Sequence, residues 1–208
     1  YNQEVIGYGS SGCSSKILHI DEIKNLLHVG VLVEGEEHNF CLNTSSTHFA
    51  ENALGSLVVV KKVNCDVKKA CESLQSWRPG IGRGSIKKIN VRNVGLIELI
   101  DDGYNANPTS VSAALETLSK SKSKRRIAIL GDMKELGPSE VDFHKSIASL
   151  ASMAKVDCVY TVGPLMKNLH NNLPKEKRGQ HFKNSLEVVP ELSSILKRGD
   201  CLLLKASL

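Results

Sequence analysis

Apolar residues follow two different periods along this chain. The early part carries short β-prone bursts broken by Gly and Ser, at Glu4-Val5-Ile6-Gly7-Tyr8, Lys16-Ile17-Leu18-His19-Ile20 and Leu26 to Val33, and these predict strands. Glu34-Gly35-Glu36-Glu37 predicts a hairpin turn into a further strand at Asn39-Phe40-Cys41-Leu42. The period then lengthens. Phe49, Ala53, Leu57 and Val60 recur at near-helical spacing behind Ser45-Ser46-Thr47, whose hydroxyls offer N-caps. A second helix is predicted from Asp66 to Trp77. It stops at Arg78-Pro79-Gly80, because proline disfavours helix in the residue before it.

The Gly-rich connector Pro79-Gly80-Ile81-Gly82-Arg83-Gly84 is the predicted boundary between a domain at 1–84 and another at 85–208. Past it, apolar strands (Leu96 to Ile100, Ile127 to Leu130, Val156 to Val162, Cys201 to Leu204) alternate with predicted helices at Pro108 to Leu118 and at about Pro138 to Met153. That alternation means βαβ units: an α/β fold with a mostly parallel sheet covered on both faces, preceded by a β-rich and helical portion. Lys120 to Arg126 is a basic run read as a solvated turn, and the chain shows no repeat or low-complexity tract.

Composition narrows the class. With 41% hydrophobic and 24% charged residues, the 208-residue chain supports a packed core, which excludes disorder as its main state. No apolar run approaches the ~20 residues of a membrane-spanning helix, and no basic segment leads into an apolar one at the start, so neither a membrane span nor a signal peptide is expected. A net charge of +5 suits a small anionic partner, whereas 4% aromatics and the lack of a basic stripe argue against nucleic acid. Cys13, Cys41, Cys65, Cys71, Cys158 and Cys201 form no C-x-x-C pair, which points to reduced thiols and a cytoplasmic protein, with Cys158 and Cys201 as small core residues. The start at Tyr1 instead of Met suggests a fragment.

In an open α/β sheet, ligands gather beyond the carboxyl ends of the strands. There the sequence reads Asp101-Asp102-Gly103-Tyr104-Asn105-Ala106-Asn107-Pro108, Gly131-Asp132-Met133-Lys134-Glu135-Leu136-Gly137, Gly163-Pro164 and Lys205-Ala206-Ser207. Asn107 can cap a helix that Pro108 opens, aiming N–H groups at the crevice, and Asp102 can accept from sugar hydroxyls. A good helix start beside a solvated strand end accounts for the same residues equally well. Gly7-Tyr8-Gly9-Ser10-Ser11-Gly12 matches G-x-G-x-x-G, but a turn and a strand are predicted after it where the dinucleotide motif needs a helix. His144 shares a face with Val141, Ile147, Ala148 and Ala151 and reads as a core histidine, and the remaining histidines have no metal-ligand spacing.

Five ordered strings resemble the Mur ligase family. They are His48-Phe49-Ala50-Glu51-Asn52-Ala53-Leu54, Gly82-Arg83-Gly84, Asp101 to Pro108, Gly131 to Gly137 and Leu204-Lys205-Ala206-Ser207. The resemblance implies that residues 1–84 are the latter part of a central ATPase domain and that 85–208 form a Rossmann-like carboxyl-terminal domain. It implies an ATP-dependent ligase joining D-alanyl-D-alanine to UDP-N-acetylmuramoyl-tripeptide through an acyl phosphate, in peptidoglycan precursor synthesis, acting as a monomer. The phosphate loop and the ligands for Mg2+ are expected outside this chain, which alone is expected to be inactive, and a final helix is expected beyond its end.

By the same resemblance Asn52 reaches adenine, Arg83 and Asp102 hold ribose and phosphates, and Tyr104 lies beside the nucleotide or the reaction centre. Asn105, Asn107, Lys205 and Ser207 face the docking site of the acceptor or peptide. Two residues depart from the family pattern: Phe49 stands for Asn, and Ala206 for Gly. A free-standing nucleotide-binding module, and a related ligase such as folylpolyglutamate synthetase, are the alternatives.

Overall fold

The computed structural model describes residues 5–9, 13–24, 26–44 and 46–207. The chain divides into two compact units, Tyr1–Pro79 and Gly80–Leu208, so the glycine-rich segment belongs with the second.

In the first unit, β1 (Tyr8–Gly9), β2 (Ser15–Ile23), β3 (Leu26–Val33) and β4 (Glu36–Leu42) form a sheet in that order. Leu27, Val29, Val31 and Val33 alternate onto one face of β3. There they bury against α1 (His48–Lys62) and α2 (Val67–Leu74) through Ala50, Leu54, Leu57 and Cys71. The hairpin between β3 and β4 turns on Glu34 and Gly35, both at positive φ (47° and 87°), the geometry a two-residue loop needs. The strand predicted at Glu4 to Tyr8 is regular only at Tyr8–Gly9, and Glu4 lies outside the described residues. Thr47 occupies the N-cap position of α1 but makes no side-chain cap bond, and Ser45 lies outside the described residues. Asp66 does cap α2, accepting from the Lys69 N–H at 3.1 Å, and that helix ends at Leu74, short of Trp77. In the G-x-G-x-x-G string, Ser10 to Gly12 are outside the described residues, and the element that follows is the strand β2.

The second unit contains a six-stranded sheet. Its elements are β5 (Ser85–Val91), β6 (Gly95–Asp102), α3 (Pro108–Lys120), β7 (Arg126–Gly131), α4 (Glu140–Ser146), β8 (Cys158–Val162), α5 (Met166–Asn172), β9 (Arg178–Phe182), α6 (Ser185–Val188), α7 (Leu192–Ile195) and β10 (Cys201–Lys205). Strand order is β5-β6-β10-β7-β8-β9, parallel throughout except for β5, which forms an antiparallel hairpin with β6. One face packs Leu115, Leu118, Leu130 and Leu203 under α3 and α5. The other packs Ile97, Ile129, Phe182 and Leu202 under α6 and α7.

Two features depart from expectation. The helix predicted at about Pro138 to Met153 is α4 flanked by 3-10 turns, interrupted at Leu150 (φ −64°, ψ 134°). The Ser146 hydroxyl donates back to the Phe143 carbonyl at 2.8 Å, a competing bond of the kind that weakens helices, while the break lets Ile147 and Met153 both reach the core. Cys201 is buried as expected, whereas Cys158 is only half-buried. The buried Asp200 carboxylate accepts from Arg125 at 3.0 and 2.6 Å and from the Lys197 N–H at 2.7 Å, tying the start of β10 to that of β7.

At the opposite edge, the buried Thr161 hydroxyl lies 3.0 Å from Nδ1 of His181 and 3.4 Å from Nδ1 of His170. Burial, then His181, Arg178 and Lys167, lowers the His170 pKa from its ordinary value. Burial, then Lys167, lowers that of His181 against the opposing pull of Asp132 and Glu187. The fold therefore holds both rings neutral at pH values where the unfolded chain, titrating near about 6.5, already binds protons. Stability is expected to be level above that pH and to fall as pH drops below it toward the lowered folded values. Urea midpoints between pH 7.5 and 5 check this: His181→Gln should flatten the slope, and an unchanged slope would contradict the assignment.

Candidate functional site

Topology assembles the candidate site. α3 carries the chain from β6 to β7, yet β10 runs between those strands, with Lys205 paired to Asp102 on one side and to Leu130 on the other. A strand inserted at this point brings three carboxyl ends together, where open α/β sheets place their ligands.

The end of β6 meets the glycine-rich segment through backbone bonds. The Gly84 N–H donates to the Asp101 carbonyl at 2.8 Å, and the Tyr104 N–H to the Gly82 carbonyl at 3.0 Å. Gly82 has φ 72°, and a Cβ there would stand 3.1 Å from the Tyr104 nitrogen, so both conformation and space call for glycine. These bonds place the Arg83 guanidinium 4.0 Å from the centre of the half-exposed Tyr104 ring, a cation–π contact on an open surface.

Deeper in, the Lys205 side chain is 3% exposed, and its ammonium lies 2.8 Å from Oδ2 of Asp102, whose side chain is 14% exposed. It also donates to the Asn105 carbonyl at 2.6 Å. Two residues on, the Ser207 N–H donates to the Asp132 carbonyl at 3.0 Å. The Ser207 hydroxyl accepts from the N–H groups of Ala106 (3.1 Å) and Lys134 (3.3 Å), with Oδ1 of Asn105 3.0 Å away. Ala206 fits because Gly131 faces it: a Cβ on Gly131 would come within 2.7 Å of the Ala206 methyl. The alanine at the family's glycine position is thus accommodated by a neighbouring strand.

Asn107 begins α3 with a full capping box. Its Oδ1 accepts from the Ser110 N–H at 2.8 Å, and the Ser110 hydroxyl accepts from the Asn107 N–H at 3.0 Å. Because Pro108 has no N–H, this box leaves Thr109 as the first-turn donor facing outward, so the helix start is largely satisfied from within. Asn52 lies in the first unit, exposed on α1, where Phe49 packs its ring 4.8 Å from that of Trp77. The second unit therefore gathers Arg83, Asp102, Tyr104, Asn105, Asn107, Lys205 and Ser207 along one edge, and Asn52 belongs to a separate unit.

Sequence reasoning did not assign roles to Asp132 or Ser110. Asp132 accepts from the Met166 N–H at 2.7 Å and so ties the end of β7 to α5. Gly163 (φ 100°) makes room for it, since a Cβ there would come within 2.6 Å of the carboxylate. A carboxylate right after a strand and a glycine after the next strand were the available signals. An adjoining cavity of about 320 Å³ reaches the same edge at Gly103 and Ala206, but its walls are side chains such as Ile97, Leu99, Leu202 and Leu204. Such walls do not suit a nucleotide. Among the described residues, no group of three His, Cys, Asp or Glu side chains has the geometry to hold a metal ion.

Comparison with known proteins gives a consistent match. A family model described as "Mur ligase, glutamate ligase domain" covers residues 89–208. The chain is 27% identical over 198 residues to the UDP-N-acetylmuramoyl-tripeptide–D-alanyl-D-alanine ligase of Rickettsia prowazekii, covering 95% of this chain and 43% of that protein. Against the Bacillus subtilis protein of the same name it is 27% identical over 179 residues, 84% of this chain and 38% of that one. Among solved structures, MurF from Acinetobacter baumannii superimposes with a TM-score of 0.77 at 20% identity, over 96% of this chain and 43% of that one. The MurF ligase from Thermotoga maritima in complex with ADP gives 0.75 at 22% identity, over 96% and 44%. These two likenesses establish the shared fold. The chain spans less than half the length of each of these relatives.

His144 anchors the loop behind the site. Its Nε2 accepts from the Met133 N–H at 3.0 Å, its Nδ1 lies 2.6 Å from the Glu140 carbonyl, and the ring is fully buried. His144→Ala strands both backbone groups, and the expected loss is about 2–4 kcal/mol. Chemical denaturation measures it; a loss below about 1 kcal/mol would show that the ring does not hold the loop.

Proposed function

The chain belongs to the Mur ligase family, and from that premise we propose that it is part of an ATP-dependent ligase joining D-alanyl-D-alanine to UDP-N-acetylmuramoyl-tripeptide in peptidoglycan precursor synthesis. In this reading residues 1–84 are the end of the central ATP-binding domain, and 85–208 the carboxyl-terminal domain. The protein works in the cytoplasm as a monomer. Among the described residues no helix is long and apolar enough to cross a membrane.

One observation carries the proposal: the residues at the matched family positions Arg83, Asp102, Tyr104 and Lys205 converge at a single sheet edge within the second unit. Each has a chemical task that its surroundings support. Asp102 lies 2.8 Å from the Lys205 ammonium, and a carboxylate has about four acceptor positions, enough to serve an ion pair and ribose hydroxyls together. The Arg83 guanidinium, laid against Tyr104, brings positive charge toward the phosphates while the ring offers a flat apolar surface. The exposed Asn105 side chain has its Oδ1 engaged by Ala106 and Ser207, which turns its NH2 outward as a donor to an acceptor carboxylate. Asn107 and Ser207 hold the loop that presents it. Asn52, on α1, is the residue the proposal assigns to adenine.

ATP supplies the phosphoryl group that converts a carboxylate, a poor acyl donor, into an acyl phosphate that an amine can attack. The residues of this chain bind and orient the nucleotide. The proposal places the metal and phosphate-loop ligands elsewhere in the longer protein.

Phosphate release with ATP, Mg2+ and both substrates tests this. The 208-residue chain should show no turnover, a longer protein containing it should be active, and Asp102→Ala in that protein should lower kcat/KM for ATP by roughly 10- to 100-fold. Robust turnover by the 208-residue chain, or none by the longer protein, would overturn the reading.

A further inference from the structure

We propose that Lys205 is a positioning residue for ribose recognition, acting through Asp102 instead of contacting a substrate; the inference rests on the nucleotide reading above. Three observations carry it. The Lys205 side chain is only 3% exposed, which favours a supporting role over the substrate contact expected from sequence. Its contacts with the Asp102 carboxylate at 2.8 Å and the Asn105 carbonyl at 2.6 Å lie at the end of β6 and in the turn after it, the stretch that carries Asp102 and Tyr104. Strand pairing sets Lys205 opposite Asp102, so the ion pair is built into the sheet and does not depend on a flexible surface arm.

Burying an ammonium is unfavourable unless it is paired and hydrogen-bonded, and an aliphatic residue in its place is often no less stable. A purely structural position in the middle of this sheet has no need of it. What a lysine adds here is charge and direction. It fixes the plane of the Asp102 carboxylate and sets the distance between that carboxylate and the Tyr104–Asn105 turn. A vicinal diol needs two acceptors at fixed spacing, which a carboxylate locked in one orientation provides.

The experiment compares ATP with 2′,3′-dideoxy-ATP, which lacks both hydroxyls. Apparent affinities for each are measured in the longer, active protein for the wild type, Asp102→Ala, Lys205→Met and the double variant, with melting curves confirming that each is folded. The wild type should prefer ATP by roughly tenfold or more, since each hydrogen bond to a charged group is worth about 1.5–3 kcal/mol. Lys205→Met should lose most of that preference, retaining less than about threefold. The double variant should lose no more preference than Asp102→Ala alone. If Lys205→Met does not fold, Lys205→Gln, which keeps a donor toward Asn105, is read by the same criteria. A wild type that does not distinguish the two nucleotides would remove the ribose reading itself. A wild type that does, alongside a Lys205 variant that still distinguishes them as well, would overturn the positioning role alone.

Discussion

The site depends on where the last strand lies. β10 is the final strand in sequence but runs between β6 and β7 in space, so the residues following it meet loops about 100 and 73 positions earlier in the chain. Hydrophobic burial puts it there: Cys201, Leu202 and Leu203 fill both faces of the sheet. Once the strand is in place, its tail has no choice of neighbours. Lys205 faces the end of β6, Ser207 bridges the loops after β6 and β7, and the Arg125–Asp200 pair secures the other end.

This arrangement accounts for an unusual density of polar groups at the edge without leaving them unsatisfied. Asn107 and Ser110 satisfy each other at the start of α3, Ser207 takes up the donors of two loops, and Asp132 caps α5. Most of the amides and hydroxyls that sequence assigns to ligand contact are therefore engaged in building the rim. What faces outward is smaller: the Arg83–Tyr104 surface and the exposed Asn105 side chain. A preorganised rim of this kind loses little conformational freedom when it binds, and a self-satisfied cluster stays hydrogen-bonded whether or not a ligand is present.

Sequence carried the architecture where burial on both faces wrote a continuous apolar run, as at Ile127 to Leu130. It missed β5, whose Ser85-Ile86-Lys87-Lys88-Ile89-Asn90-Val91 shows the weak pattern of an exposed edge strand, and β9, where Arg178-Gly179-Gln180-His181-Phe182 has a single large apolar residue. It overextended the helix after Pro138, because three-residue spacing of apolar positions is kept by 3-10 turns as well as by a continuous helix. At the site, the residues were legible from their strand-end strings, but their partners were not. Nothing local in Lys205-Ala206-Ser207 says that the lysine points into the protein toward a carboxylate on β6. That follows from strand order, which short-range patterns do not encode.

The central claim is that the loops following β6, β7 and β10 form one preorganised unit. Native-state hydrogen exchange at the Gly84, Tyr104, Ala106, Met133 and Ser207 amides, each a donor in this network, tests it most directly. Protection comparable to that of the β10 amides, lost together as denaturant is added, is the result the account predicts. Exchange at the rate of open loops beneath a protected β10 would contradict it, because the rim would then be three independent turns.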